Sequence, residues 1–127
     1  MPLRKISFLV FLVVLAFFVP AHAARFSGEY LLNVCSSDQN GRELVPGGHI
    51  ACQSYISGVM DYHNLIRSLG TAPSVDFCVP ENESLNVIQS KVAMYLFQNK
   101  KIHGAFIASP AVTLALYNYY PCGKKKN

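Results

Sequence analysis

No tryptophan occurs in this chain of 127 residues, charged side chains make up only 14% of it, and its 4 cysteines are widely spaced. Each shortage excludes something. Cysteines without a close partner in sequence do not form a zinc knuckle, and no Cys-x-x-Cys-His marks a haem attachment site, so neither a metal nor a cofactor is expected. A glycine-rich phosphate loop is missing too, since Gly47-Gly48 has only the length of a turn. His49, His63 and His103 lie in no metalloprotease spacing and beside no nucleophile motif, and Ser57-Gly58 falls inside a helical pattern rather than on a nucleophile elbow. Asp61 and Asp76 could pair as two carboxylates, but acids in a short chain are ordinarily surface groups. No catalytic residue is expected, and the chain reads as a non-enzyme.

The formal net charge of +4 overstates how basic the chain is. Arg4 and Lys5 belong to the N-terminal segment, and Lys124, Lys125 and Lys126 crowd a terminal tail, 124–127, expected to be flexible and solvated. Without them the balance is slightly negative. A nucleic-acid surface is not indicated.

The N-terminus sets the expected compartment. Arg4 and Lys5 precede the apolar run Ile6 to Val19, and Ala21-His22-Ala23 places small residues where a signal peptidase reads. The run falls short of the ~20 residues that span a bilayer. Residues 1–23 therefore read as a cleaved signal peptide and 24–127 as one domain of a periplasmic protein with no membrane contact after cleavage. An even number of cysteines in an exported domain of this size reads as two disulfides.

Along the mature chain the patterns are helical. Arg25 to Cys35 forms a short first helix that Ser27 can cap. From His49 to Leu69, Cys52, Tyr55, Ile56, Val59, Met60, His63 and Ile66 recur at helical spacing and make this the expected central helix. His63 on that face reads as a hydrogen-bonded interior or boundary residue. Ser84 caps a third helix to about Gln98, with Leu85, Ile88, Val92, Tyr95 and Leu96 inward; Ser109-Pro110 starts a last one that stops at Pro121. Asn99 to Ala108 is ambiguous between a loop and an extra turn. The architecture expected is all-α: a small disulfide-linked bundle of four to five helices joined by short connections.

Those connections favour the pairs Cys35–Cys52, between the end of helix one and the beginning of helix two, and Cys78–Cys122, between the start of helix three and the end of helix four. Polar residues uncommitted to a core mark candidate partner-binding positions on two loops: Asp38, Gln39, Asn40, Arg42 and Glu43 on one, and Asn99, Lys100, Lys101 and His103 on the other. Tyr62 and Tyr117 would also suit a protein interface if left uncovered.

Several landmarks together resemble a known group. Gly28 and Leu31-Leu32 before Cys35, the element Cys52-Gln53-Ser54-Tyr55-Ile56-Ser57-Gly58-Val59, Phe77-Cys78-Val79-Pro80, the helix Val87 to Leu96, and Ala115-Leu116 followed by Tyr120-Pro121-Cys122 resemble the periplasmic immunity proteins of the Rap/Tai type. The resemblance implies a non-enzymatic protein, often a homodimer, that binds a peptidoglycan amidase delivered by type VI secretion and obstructs its cleft through variable surface positions. Asn99-Lys100 and Pro110 depart from the pattern expected there. Gly58, costing a helix ~1 kcal/mol against alanine, is expected to let a neighbouring helix approach closely. A second class of function is a small periplasmic stress chaperone that exposes apolar surface on acidification. A lipid carrier would require an enclosed apolar cavity.

Overall fold

The computed structural model describes residues 26–123, and five helices account for most of those residues: α1 (Gly28–Cys35), α2 (Gly48–Ser68), α3 (Leu85–Gln98), α4 (Lys100–His103) and α5 (Ala108–Tyr119). Among the described residues there are no strands, only isolated bridges, such as Ser27 with Ile107 and Phe77 with Pro121. The fold is an all-α bundle tied by two disulfides. The expected signal segment and the tail 124–127 lie outside the described residues.

Local chemistry explains the helix starts. The Ser27 hydroxyl accepts from the Tyr30 amide at 3.1 Å, and the Ser84 hydroxyl from the Val87 amide at 3.3 Å, each satisfying an amide that the first turn leaves free. Residues Phe26 and Ser27 are extended rather than helical, because Ala108 N–H donates to the Phe26 carbonyl at 2.8 Å. Pro110 falls in the first turn of α5, where its missing amide costs nothing.

The core gathers around α1 and α5. α1 touches each of the other four helices, and Leu31, Leu32, Val34 and Cys35 are buried in it. In α5, Ala111, Val112, Ala115 and Leu116 are fully enclosed, and Ile88, Val92 and Leu96 of α3 pack against them. The long helix α2 is less central than its apolar pattern suggests. Of its patterned residues Cys52, Ile56 and His63 are buried, whereas Tyr55, Val59, Met60 and Ile66 are only half-buried, and Tyr62 on the outer side is exposed. Leu85 also points outward, being the first residue of α3.

Two glycines make the closest approaches. A Cβ on Gly28 would run into the His103 carbonyl, and one on Gly48 would lie 2.5 Å from the Val34 carbonyl oxygen. Gly58 is not one of them: an added Cβ there meets nothing within 4 Å, so no helix of this bundle rests on it.

Covalent and polar ties close the structure. Cys35–Cys52 joins α1 to α2, with Cα atoms 5.1 Å apart, and Cys78–Cys122 joins the segment before α3 to the end of the bundle, at 5.0 Å. Beside the second bridge, Cys78 N–H donates to the Tyr120 carbonyl at 2.7 Å. The Tyr120 hydroxyl in turn bonds Lys91 Nζ at 2.9 Å and Glu83 at 3.1 Å, and Lys91 lies 3.1 Å from the same Glu83 oxygen. From α3, the buried Gln89 amide donates to the Cys35 carbonyl at the end of α1 at 3.0 Å and accepts from Gln53 of α2 at 2.9 Å.

Candidate protein-binding surfaces

The stretch Asp38 to Glu43 is a self-satisfied turn. Asp38 Oδ1 accepts from the amides of Asn40 and Arg42 at 2.8 and 2.9 Å, and Oδ2 accepts from Arg42 Nε at 3.0 Å. The Arg42 amide chiefly holds the Asp38 carboxyl below its usual pKa. Gly41 takes a φ of 77°, which closes the turn. Glu43 accepts from the His49 and Gly47 amides, each at 2.9 Å, so it caps the start of α2, and the His49 amide is the main cause of its lowered pKa. Gln39 and Asn40 remain exposed at the tip. The charged groups here are already engaged with their own loop.

The second stretch is helical rather than a loop. Asn99 ends α3 and begins α4; its amide N–H donates to the Tyr95 carbonyl at 3.0 Å and its side chain does so at 2.9 Å, so the helical path carries on with little break. Lys100 pairs with Glu29 of α1 at 3.0 Å, and the His103 ring stacks at 6.0 Å from the Tyr95 ring. Lys101 is different. Arg42, Arg67, Lys91 and Lys100 each have a carboxylate within reach, and among the described residues Lys101 is left without one. Around it Phe97 and Ile102 stand 68% and 63% exposed and line a depression of about 670 Å³. Phe106 farther along is exposed as well.

These two candidate surfaces are not brought together. The 99–103 corner lies by Glu29 at the N-terminal end of α1, and the 38–43 turn follows its C-terminal end, a helix length of about 12 Å away.

A third feature escaped the sequence reading: an open groove of about 590 Å³ along α2, walled by Tyr55, Gly58, Tyr62 and Val75 and reaching Ser109 and Thr113 of α5. Gly58 keeps its wall low. Beneath it His63, only 6% exposed, stacks on Phe77 at 3.8 Å between ring centres. Its Nε2 lies 3.0 Å from Asp76 Oδ1 and 3.4 Å from the Phe77 amide, while Nδ1 has no hydrogen-bond partner. With the proton on Nε2 the ring donates to Asp76; with it on Nδ1 the ring accepts from Phe77. No polarity pattern marks this groove in the sequence. Its only signal is a glycine within a long helix, which the sequence alone presents as a packing position.

Among the described residues no three His, Cys, Asp or Glu side chains gather as a metal site, and no helix is long and apolar enough to cross a membrane. What the surface offers is exposed apolar and polar corners on a cross-linked frame, suited to contact with another protein. No curated protein and no solved structure matches the chain. The family model of the Rap1a immunity proteins matches residues 27–122, from the cap of α1 through all five helices to the last cysteine. The chain belongs to the Rap1a immunity protein family.

Proposed function

We propose that this protein acts in the periplasm, where it binds a peptidoglycan amidase delivered by type VI secretion and occludes its catalytic cleft. Family membership makes it an immunity protein whose partner is a toxin effector, and that match over residues 27–122 is the observation that carries the reading. The physical form supports the finer parts. Both disulfides fit an oxidising compartment. A frame tied at both ends also loses little conformational freedom on binding, so contact energy is not offset by ordering the inhibitor. Contacts with the amidase come from the exposed stretches 38–43 and 99–103, and the working unit is a homodimer.

Protection is the direct test. Amidase effectors are expressed one at a time in the bacterial periplasm, with and without this chain, and lysis is followed by culture density. Survival with one amidase, together with a stable complex of the purified pair and loss of its peptidoglycan cleavage, is the expected outcome. Lysis unaffected by the chain for every amidase would remove the amidase assignment, and protection persisting after deletion of residues 1–23 would remove the periplasmic one. Light scattering of the purified protein checks the dimer.

A second reading, a small stress chaperone, draws on the open apolar groove above the buried His63–Asp76 contact. It requires apolar-dye binding to rise on acidification; a flat response between pH 7 and about 4.5, the region in which histidines and carboxylates titrate, would dispose of it.

A further inference from the structure

Met94, Phe97 and Lys101 follow one another at i, i+3 and i+7 along the end of α3 and into α4, and Ile102 joins Phe97 and Lys101 around one depression. The hydrogen bond from the Asn99 amide to the Tyr95 carbonyl links the two helices, and together these side chains form one outward stripe bordering that depression. All three apolar members are more than half exposed, and none belongs to the core. Single exposed apolar residues are ordinary on a protein surface; a contiguous set on one rigid element is not. The stripe is rigidly held, because the first two amides of α1, those of Gly28 and Glu29, donate to the Phe106 and Gly104 carbonyls at 2.8 and 3.0 Å, and Lys100 reaches Glu29.

Charge selects the occupant. Lys101 is the cation among the described residues with no carboxylate partner, and it stands in the middle of the stripe. Glu29, the acid that reaches this corner, is occupied by Lys100. We propose that this stripe is the face that meets the effector, and that the effector presents to it an apolar pocket bordered by carboxylates. The inference rests on the immunity function and goes beyond it by naming the surface and the chemistry of its partner. A second copy of the chain fits less well: a two-fold contact through this stripe would set Lys101 against its own counterpart with no acid to separate them. A lipid surface fits less well too, since adsorption to anionic membranes draws on clusters of about four to eight cations, and the stripe has one free lysine. The 38–43 turn offers no free charge, since Asp38 and Arg42 pair with each other and Glu43 caps α2.

The test uses the amidase identified by the protection assay and the purified, oxidised protein. Binding is measured with wild type and with Phe97→Ala, Ile102→Ala, Lys101→Gln and Lys101→Glu, each first checked for an unchanged melting temperature. Phe97→Ala is expected to weaken binding roughly thirty-fold, as a central apolar anchor does. Lys101→Glu is expected to weaken it at least about tenfold, mostly through a slower on-rate, and Lys101→Gln to flatten the dependence of the on-rate on salt. Asp61→Asn, exposed on α2 and outside both candidate stretches, is expected to bind as wild type does. Wild type binding with all four stripe variants equal to it would overturn the surface and leave the immunity function standing. Failure of wild type to bind or protect against any amidase would overturn the amidase reading and this inference with it. Sedimentation with phosphatidylglycerol vesicles that Lys101→Glu abolishes, or a dimer that Phe97→Ala dissociates, without any effect on amidase binding, would reassign the stripe to lipid or to a second copy.

Discussion

Replacing Gly58 by alanine should make this protein more stable. The residue lies in the interior of the 21-residue helix α2, where glycine is disfavoured because it surrenders the most backbone freedom on folding. The cost relative to alanine is about 0.5–1 kcal/mol. Usually such a gain is cancelled by a clash, but an added Cβ at Gly58 finds nothing within 4 Å, and the position is exposed. The full helix-propensity term should therefore appear. For a domain of this size, 1 kcal/mol corresponds to about 4–8 °C in Tm, so Gly58→Ala should raise it by roughly 2–8 °C. The assay is thermal unfolding followed by circular dichroism, with both disulfides intact and urea unfolding as a second measure. The same exchange at Gly28 serves as the opposite control: its Cβ meets the His103 carbonyl, and overpacking against backbone costs about 1–3 kcal/mol. A fall in Tm for Gly58→Ala would refute the reasoning, since it would mean that some part of the protein packs on this glycine after all.

Gln89→Ala should cost about 2–3 kcal/mol by urea unfolding, because it strands the buried Cys35 carbonyl as well as losing its own hydrogen bonds. Of the two bridges, replacing Cys78 and Cys122 by serine should cost about 4 kcal/mol and replacing Cys35 and Cys52 about 3, if chain entropy governs; their separations are 44 and 17 residues. Equal losses would show that native-state effects dominate. Acid should weaken the fold. Lys91 chiefly lowers the Glu83 pKa, and backbone amides those of Asp38 and Glu43. Depressed carboxyl pKa values contribute stability that is complete above the unfolded values near 4 and lost as pH falls through the folded ones. The urea midpoint should thus hold from pH 7 to about 5 and drop below it, with a smaller drop in Glu83→Gln; a midpoint rising on acidification would contradict the assignment.

What the amino-acid order determined by itself was local. Ser27 and Ser84 announce helix starts because a side-chain oxygen can reach an amide three residues on, whatever the rest of the chain does. The apolar spacing of Cys52, Ile56 and His63, or of Val112, Ala115 and Leu116, marks inner faces for the same reason: a helix presents them together. Periodicity also left α4 ambiguous, since a single turn is too short to show a repeat. Tertiary structure alone decided how much of each apolar face is covered. Tyr55, Val59 and Ile66 lie on the inward pattern of α2 yet are only half-buried, because they line an open groove rather than a packed neighbour. Gln89 looks like a surface residue and is buried, because the Cys35 carbonyl needs a donor that only the approach of α3 to α1 supplies. Gly58 looks like a packing glycine and borders open space. Lys101 and Lys100 are identical neighbours in sequence, and only the position of Glu29, brought up by α1, engages one and leaves the other free. A residue's type says what contact it can make; which contacts remain unmade depends on elements distant in the chain, and a binding surface consists of those.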